Sequence, residues 1–295
     1  MSIGIECVVP SRSELGEGAV WDHRAGVLWW VDSNAGLVHC YDPASGDDRG
    51  WEWGEAVGCL AVRESGGLLL ATRSGFHLFD PETGAREALA DPEAELPGNR
   101  FNDGATDSRG RFWAGTIKDG GEPRRIGRFY RFDPDRSVST HLHPAYTTNG
   151  QTFSPDGRTM YFSDSDIAVQ TIWRCDYDPD RGMPGEPQVF FDAREVAGRP
   201  DGGTVDADGC YWMAGVSGWQ VVRITPQGKV DRIVDMPVER PTKPMFGGPD
   251  LDVLYVTSIG SGLTPGSEAR QPEAGSLFAI HGLGAVGIEQ TRFAG

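Results

Sequence analysis

The stretch Gly110-Arg-Phe-Trp-Ala-Gly115 is one of six occurrences of a single pattern, in which a turn and a glycine or aspartate precede a short apolar strand. The copies begin at residues 26, 67, 110, 157, 209 and 252, so successive copies start 41 to 52 residues apart. A repeat of about 40–50 residues that holds several short strands is typical of one blade of a β-propeller.

Most copies are followed by a second apolar run that ends in an acidic turn, as at residues 38–43, 76–81 and 129–134. The 41 glycines and 20 prolines argue against long helices, because both residues are unfavourable inside them. We therefore predict an all-β fold, a six-bladed β-propeller that forms a single domain over residues 1–295. A large β-sandwich is the alternative, but that fold does not explain why the same turn-and-strand pattern occurs six times at similar spacing.

Both ends of the chain have strand-like sequences, at residues 3–9 and 288–293. A propeller is a closed ring, and closure brings the first and last blades together. We therefore predict that one blade is built from both termini.

The charge and the cysteines limit the classes of partner and compartment. The chain has 27 Lys and Arg against 43 Asp and Glu, a formal net charge of −16, which disfavours nucleic acids and anionic membrane surfaces as partners. The five cysteines are scattered without a CxxC spacing, and neither a signal-like segment nor a long apolar run is present. These features predict a reduced, cytoplasmic protein.

Oxygen-bearing side chains recur just upstream of the repeated pattern, where the innermost strand of each blade should begin near the central channel. Counting back eight or nine positions gives six residues, of which four are carboxylates or carboxamides: Glu17, Cys59, Asn102, Asn149, Asp201 and Pro244. Their shared phase predicts one cation site in the channel. The alternative is that Asn149-Gly150 and Asp201-Gly202 are only tight turns.

The chemistry of this set suits a hard divalent cation. Glu17 and Asp201 supply two negative charges and Asn149 supplies a neutral carbonyl oxygen, which leaves coordination positions for water or a substrate. Oxygen ligands favour calcium, magnesium or manganese, while zinc and iron(II) stay open.

Several of these motifs together resemble the gluconolactonase/regucalcin (senescence-marker protein) family. The resemblance covers essentially the whole chain, in order, and it rests on the stretches Leu15-Gly-Glu-Gly-Ala-Val-Trp21, Asn99-Arg-Phe-Asn-Asp-Gly104, Thr148-Asn-Gly150, Arg199-Pro-Asp-Gly-Gly203, Phe246-Gly-Gly-Pro-Asp250 and Arg270-Gln-Pro-Glu-Ala-Gly-Ser-Leu-Phe278. It implies a six-bladed propeller that binds one divalent metal ion in its channel and hydrolyses sugar lactones.

The resemblance also implies roles for individual residues. Glu17, Asn149 and Asp201 would be the metal ligands, with Asp201 also the proton acceptor and donor, and Arg100 and Asn102 would contact the substrate. The acidic substrate contact of regucalcin-like members does not transfer cleanly. Here Asp119 follows Gly115-Thr-Ile-Lys118 and is more similar to the His-Asp-Gly of bacterial pentonolactonase-like members. We expect Asp119 to bind substrate, and the preferred sugar stays open.

We therefore expect a metal-dependent lactonase that opens a small sugar aldonolactone to the aldonic acid, with no nucleic-acid or membrane partner. Two alternatives stay open: a non-catalytic calcium- or ligand-binding propeller, and a related esterase or organophosphate hydrolase. No GxSxG or HExxH motif occurs to support a serine hydrolase or a zincin. The sequence does not indicate the oligomeric state.

Overall fold

The structure of the protein is a computed structural model that describes residues 2–295. Six antiparallel sheets of four or five strands follow one another along the chain. The innermost strands of neighbouring sheets contact one another in cyclic order, so the sheets close into a ring. The prediction of an all-β, six-bladed β-propeller is confirmed.

The chain begins with β1 (Gly4–Val9), which belongs to the last blade. Blades 1 to 3 then follow, each with its strands in chain order from the channel outward. Their strands are β2 (Gly16–Asp22), β3 (Val27–Asp32), β4 (Leu37–Asp42), β5 (Asp47–Glu52), β6 (Val57–Val62), β7 (Leu68–Thr72), β8 (Gly75–Phe79), β9 (Arg86–Ala90), β10 (Asn99–Thr106), β11 (Phe112–Lys118), β12 (Phe129–Phe132) and β13 (Val138–Thr140).

Blades 4 to 6 repeat this order, and blade 4 has an extra short strand that pairs with the end of β16. Two 3-10 helices, Ala193–Glu195 and Glu268–Arg270, lie in loops. The strands are β14 (Thr148–Phe153), β15 (Thr159–Asp164), β16 (Thr171–Asp178), β17 (Met183–Pro184), β18 (Gln188–Asp192), β19 (Arg199–Val205), β20 (Tyr211–Val216), β21 (Gln220–Ile224), β22 (Val230–Asp235), β23 (Pro241–Gly247), β24 (Val253–Ser258) and β25 (Leu277–His281).

Both termini take part in closing the ring, but only one of the two predicted terminal strands forms. β1 pairs antiparallel with β25 and completes blade 6 as its outermost strand. Residues 288–293 were predicted as a strand and do not form one. Phe293 N–H instead donates to Val62 O in blade 2, and the next residue, Ala294, donates its N–H to Gly110 O in blade 3. The prediction was wrong there because Leu277–His281 already supplies the third strand of this blade.

Six apolar clusters hold the ring together, one between each pair of neighbouring blades. The repeated aromatic residues of the second strands supply their largest side chains: Trp30, Trp113 and Trp212 are fully buried. Each indole N–H donates a hydrogen bond, to Asp48, Tyr177 and Asp206 respectively. Burying these rings and satisfying their N–H groups stabilises the contacts between blades.

The innermost strands are buried along nearly their whole length, whereas the outermost strands β5 and β9 are largely exposed. The inner strands are therefore shielded from bulk water. Among residues 2–295, no helix has the length and hydropathy needed to cross a membrane.

Candidate functional site

Four buried polar side chains lie on the inner strands of four blades: Glu17 in β2, Asn102 in β10, Asn149 in β14 and Asp201 in β19. Asn102 bonds to Asn149, and the charge of Asp201 acts on Glu17. A β-bulge interrupts each of these four strands. Glu17 and Asn149 are the last paired residues before the bulge, and Asn102 and Asp201 are the first residues inside it. A bulge redirects side chains, so the side-chain direction at these positions is set by the bulge rather than by regular strand alternation.

The two apolar positions of the predicted set of six lie elsewhere. Cys59 and Pro244 are the first residues paired after the bulges of β6 and β23. Cys59 packs in the apolar cluster between blades 2 and 3. In blade 6 it is Lys243, inside the bulge, that takes part in the polar contacts of the channel.

Hydrogen bonds connect Arg100, Asn102 and Asn149 in series. Arg100 Nη1 donates to Asn102 Oδ1 at 2.9 Å, and Asn102 Nδ2 donates to Asn149 Oδ1 at 3.0 Å. Asn149 Nδ2 in turn donates to Ser165 Oγ at 2.7 Å. These bonds fix the amide orientation, so that the oxygen of Asn149 faces Asn102 and keeps a second lone pair for another partner.

Glu17 and Asp201 are buried carboxylates that influence each other. Burial raises the pKa of Glu17 well above its usual value, and the negative charges of Asp201 and Asp103 add to this effect. Burial also raises the pKa of Asp201 to about 7, although the positive charge of Arg199 opposes the shift. Ionising both carboxylates in this place is unfavourable unless a positive charge joins them.

Asp103 and Lys243 form a buried ion pair beside these carboxylates. Lys243 Nζ lies 2.8 Å and 3.0 Å from the two carboxylate oxygens of Asp103, and both side chains are about 2% exposed or less. Asp103 also accepts hydrogen bonds from the backbone N–H groups of Gly104 and Gly150. The charge of Lys243 is thus matched by Asp103, and it does not replace a cation between Glu17 and Asp201.

The donor set fits a single divalent cation. Two carboxylates and one amide oxygen, from Glu17, Asp201 and Asn149, are hard ligands with two negative charges, which is the set that calcium, magnesium or manganese prefers. Among residues 2–295 no group of three or more His, Cys, Asp or Glu side chains is arranged to hold a metal ion. The candidate site differs from such groups because its third ligand is an amide.

Asp119 lies at the outer end of this series, next to Arg100. Its Oδ1 is 3.5 Å from Arg100 Nε, and its Oδ2 forms an ion pair with Arg73. Burial raises the pKa of Asp119, but the two arginines outweigh it and the pKa is lowered. Asp119 is therefore ionised and bridges two guanidinium groups.

The channel is narrow three residues beyond Asn149 along the inner strands. Lys243, Gln151 and Thr152 line a cavity of about 20 Å³ there, which is also bordered by Gln290 and Thr291 of the C-terminal segment. This volume is close to that of one water molecule. Neither Glu17 nor Asp201 lines this cavity, and Arg73 and Asp119, at the outer end of the series of polar contacts, are partly exposed.

Sequence reasoning missed Asp103, Lys243 and Arg73. Asp103 directly follows Asn102 in the Asn99–Gly104 motif, so that motif was the available signal. Lys243 was missed because the count along the sixth repeat ended one residue away, at Pro244. Arg73 follows a strand of blade 2, a blade without a polar residue in the predicted set.

A comparison with protein families gives one match over most of the chain. The SMP-30/gluconolactonase/LRE-like region matches residues 15–260. The chain belongs to this family. The family that the sequence motifs resemble is thereby confirmed, and with it the expected class of enzyme, a sugar lactonase.

Relatives within the SMP-30/gluconolactonase family match this chain from end to end. It is 38% identical to 6-deoxy-6-sulfogluconolactonase of Pseudomonas putida, with all of both chains covered. It is 36% identical to regucalcin of Xenopus laevis, over all of this chain and 99% of that one. The solved structure of a calcium-binding protein, regucalcin, from Agrobacterium tumefaciens superposes with a TM-score of 0.90 at 30% identity, covering 97% of this chain and 96% of that one.

Proposed function

We propose that this chain hydrolyses a sugar aldonolactone to the open aldonic acid, with one divalent cation held by Glu17, Asn149 and Asp201. The observation that carries the proposal is a pair of buried carboxylates, Glu17 and Asp201, whose charges interact. The charge of Glu17 also acts on Arg100, the first member of the hydrogen-bonded series that ends at Asn149. The relative from Pseudomonas putida, named as a lactonase, supports the same reaction.

A cation bound there supplies Lewis acidity, which stabilises the charge that develops on the lactone carbonyl oxygen and makes nearby water more acidic. Asp201 is the proton carrier in this proposal. One carboxylate oxygen takes a proton from the water that attacks the carbonyl carbon. The carboxyl group then returns that proton to the ring oxygen as the carbon–oxygen bond of the ring breaks.

Arg100 and Asn102 orient the substrate and the site. Arg100 is buried, and its Nε lies 3.5 Å from Asp119 Oδ1 without a well-aligned hydrogen bond, so in this proposal a sugar hydroxyl accepts from this N–H. Asn102 is already bonded to Arg100, Thr148 and Asn149. Its amide holds the Asn149 oxygen in place, and a sugar hydroxyl would contact it from the open side of the channel.

A second candidate function is calcium binding without catalysis. It is favoured by the solved relative from Agrobacterium tumefaciens, which is described as a calcium-binding protein. The same three ligands would then hold calcium as a bound ion without turnover.

A panel of substrates with a pH indicator tests the proposal. With a divalent cation supplied, we expect acid release from gluconolactone, xylonolactone or arabinonolactone, and slower or no reaction with aryl esters and phosphotriesters. Asp201→Ala should lower kcat at least about 100-fold, as expected for loss of a general acid–base group.

The matched control is Asp208→Ala, which removes an exposed carboxylate from the same blade and should leave kcat unchanged. Circular dichroism checks that both variants are folded. A folded Asp201→Ala variant with the wild-type rate contradicts the role of Asp201. Cation binding without acid release from any lactone contradicts the lactonase proposal and supports the calcium-binding one.

A further inference from the structure

Arg73 occupies the outer end of the contacts that lead to the candidate metal ligands. It follows β7 directly, and its backbone N–H bonds to Ala56 O, just before the inner strand of blade 2. Its side chain is 40% exposed and forms an ion pair with Asp119. Arg73 is thus held in place from one side while the rest of its guanidinium faces solvent.

The charges at this point do not cancel. One carboxylate, Asp119, lies between the two guanidinium groups of Arg73 and Arg100. The charge of Glu17 also acts on Arg100, but the proposed function assigns Glu17 to the cation, which leaves one positive charge over. Arg100 is only 6% exposed, and its Nε lies 3.5 Å from Asp119 Oδ1 without forming a well-aligned hydrogen bond. A surplus positive charge at a buried and incompletely bonded guanidinium is unexpected in a chain of net charge −16, unless an anion binds there.

The polar contacts between Arg73 and Asn149 form a series that leads from the surface into the channel. From the surface inward they run from Arg73 to Asp119, Arg100, Asn102 and Asn149. A lactone whose carbonyl group lies at Asn149 would extend its far end toward Arg100 and Arg73. Neutral hydroxyl groups need no net charge there, whereas guanidinium groups bind phosphate, sulfonate and carboxylate groups with paired N–H donors.

We propose that the substrate is a lactone that carries an anionic group on the carbon farthest from its carbonyl, and that Arg73 and Arg100 bind this group. The proposal rests on the lactonase function proposed above and adds the class of substrate. Asp119 is the positioning residue, because it holds Arg73 next to Arg100.

The test compares three substrates that differ at one carbon: gluconolactone, its 6-deoxy-6-sulfonate and its 6-phosphate. The cation-supplied wild-type protein should have a kcat/KM at least about tenfold higher for one or both anionic lactones than for gluconolactone, as expected for one charged hydrogen-bonded contact. Arg73→Gln should lower this anionic-to-neutral ratio about tenfold, mainly through KM. Arg109→Gln, a control at an exposed arginine paired with Asp180, should leave the ratio as in wild type.

A binding measurement separates this inference from the lactonase function. By calorimetry, the open-chain 6-deoxy-6-sulfogluconate or 6-phosphogluconate should bind the wild-type protein more tightly than gluconate, and Arg73→Gln should remove the difference. Hydrolysis of all three lactones at equal kcat/KM, or a ratio unchanged in Arg73→Gln, overturns the anion site and leaves the lactonase function intact. If no lactone is hydrolysed, the proposed function fails, and equal binding of the three acids then overturns the anion site as well.

Discussion

Asp103 and Lys243 connect opposite sides of the ring, because they belong to blades 3 and 6. The charge of Lys243 lowers the pKa values of Glu17 and Asp201, while the charge of Asp103 raises them. Because Asp103 and Lys243 are paired, their opposite effects on the pKa values of Glu17 and Asp201 nearly cancel. Within this ion pair, each charge offsets the free-energy cost of burying the other.

This pairing predicts strong coupling between the two residues in stability. Lys243→Met should lower the free energy of unfolding by about 3–5 kcal/mol, because it leaves the Asp103 carboxylate buried without its partner. The double variant Asp103→Leu/Lys243→Met should cost less than the sum of the single changes. Urea unfolding of the three variants measures this, with the exposed Lys229→Met as the control. Additive costs contradict the account.

The repeated pattern allowed individual candidate residues to be predicted, because each was found by counting back eight or nine positions from a copy of the pattern. Glu17, Asn102, Asn149 and Asp201 all lie at the bulges of four inner strands, Glu17 and Asn149 at the last paired position and Asn102 and Asp201 one position further on. The partner of Asp103 could not be found in this way. Which residue of a strand faces the channel depends on where the bulge falls, and a shift of one residue turns the side chain to the other face.

Among the elements, the long connection after β24 is tied to the end of the preceding blade by Glu239. The Glu239 carboxylate accepts hydrogen bonds from the backbone N–H of Thr264 at 3.1 Å and from its hydroxyl at 2.5 Å. Gln271 Nε2 donates to it at 3.2 Å. One buried carboxylate thus secures both ends of the segment from residue 264 to residue 271.

These contacts predict a pH dependence of stability. Burial raises the pKa of Glu239, but the hydrogen bonds from Thr264 and Gln271 outweigh it and the pKa is lowered. The contribution of Glu239 is therefore fully present above about pH 4.3, the value in an unfolded chain, and is lost as the pH falls through the lower folded pKa.

Urea unfolding between pH 3 and pH 6 measures this contribution as the difference between wild type and Glu239→Gln. The difference should shrink as the pH falls below about 4.3. Glu268→Gln, an exposed change in the same segment, should give no such trend. A difference that stays constant over this range contradicts the role given to Glu239.

Most of the predicted strands form, whereas the strand predicted at residues 288–293 does not. The six copies of the pattern coincide with β3, β7, β11, β15, β20 and β24, because a glycine-containing turn followed by an apolar run specifies a strand locally. Residues 288–293, by contrast, have only Ile288 and Phe293 as apolar residues. Strand formation there needs an open sheet edge, and β1 already occupies the outer edge of blade 6.

For the whole molecule, six similar units bury their apolar faces against one another and leave polar side chains for the axis. The repeat in the sequence was enough to predict this ring, because a closed ring of equivalent blades gives each apolar face a partner. The ring in turn places Glu17, Asn149 and Asp201 on three inner strands, although 184 residues separate the first from the last. The proposed cation site therefore depends on closure of the ring.

The most direct test of the account is a cation titration of the stripped protein. After treatment with a strong chelator, and with metal loss confirmed by elemental analysis, we expect no acid release from gluconolactone. Calcium, magnesium, manganese, zinc and iron(II) are then added separately, and activity should return and saturate near one cation per chain for at least one of them. Full turnover by protein that contains no detectable metal would contradict the central claim.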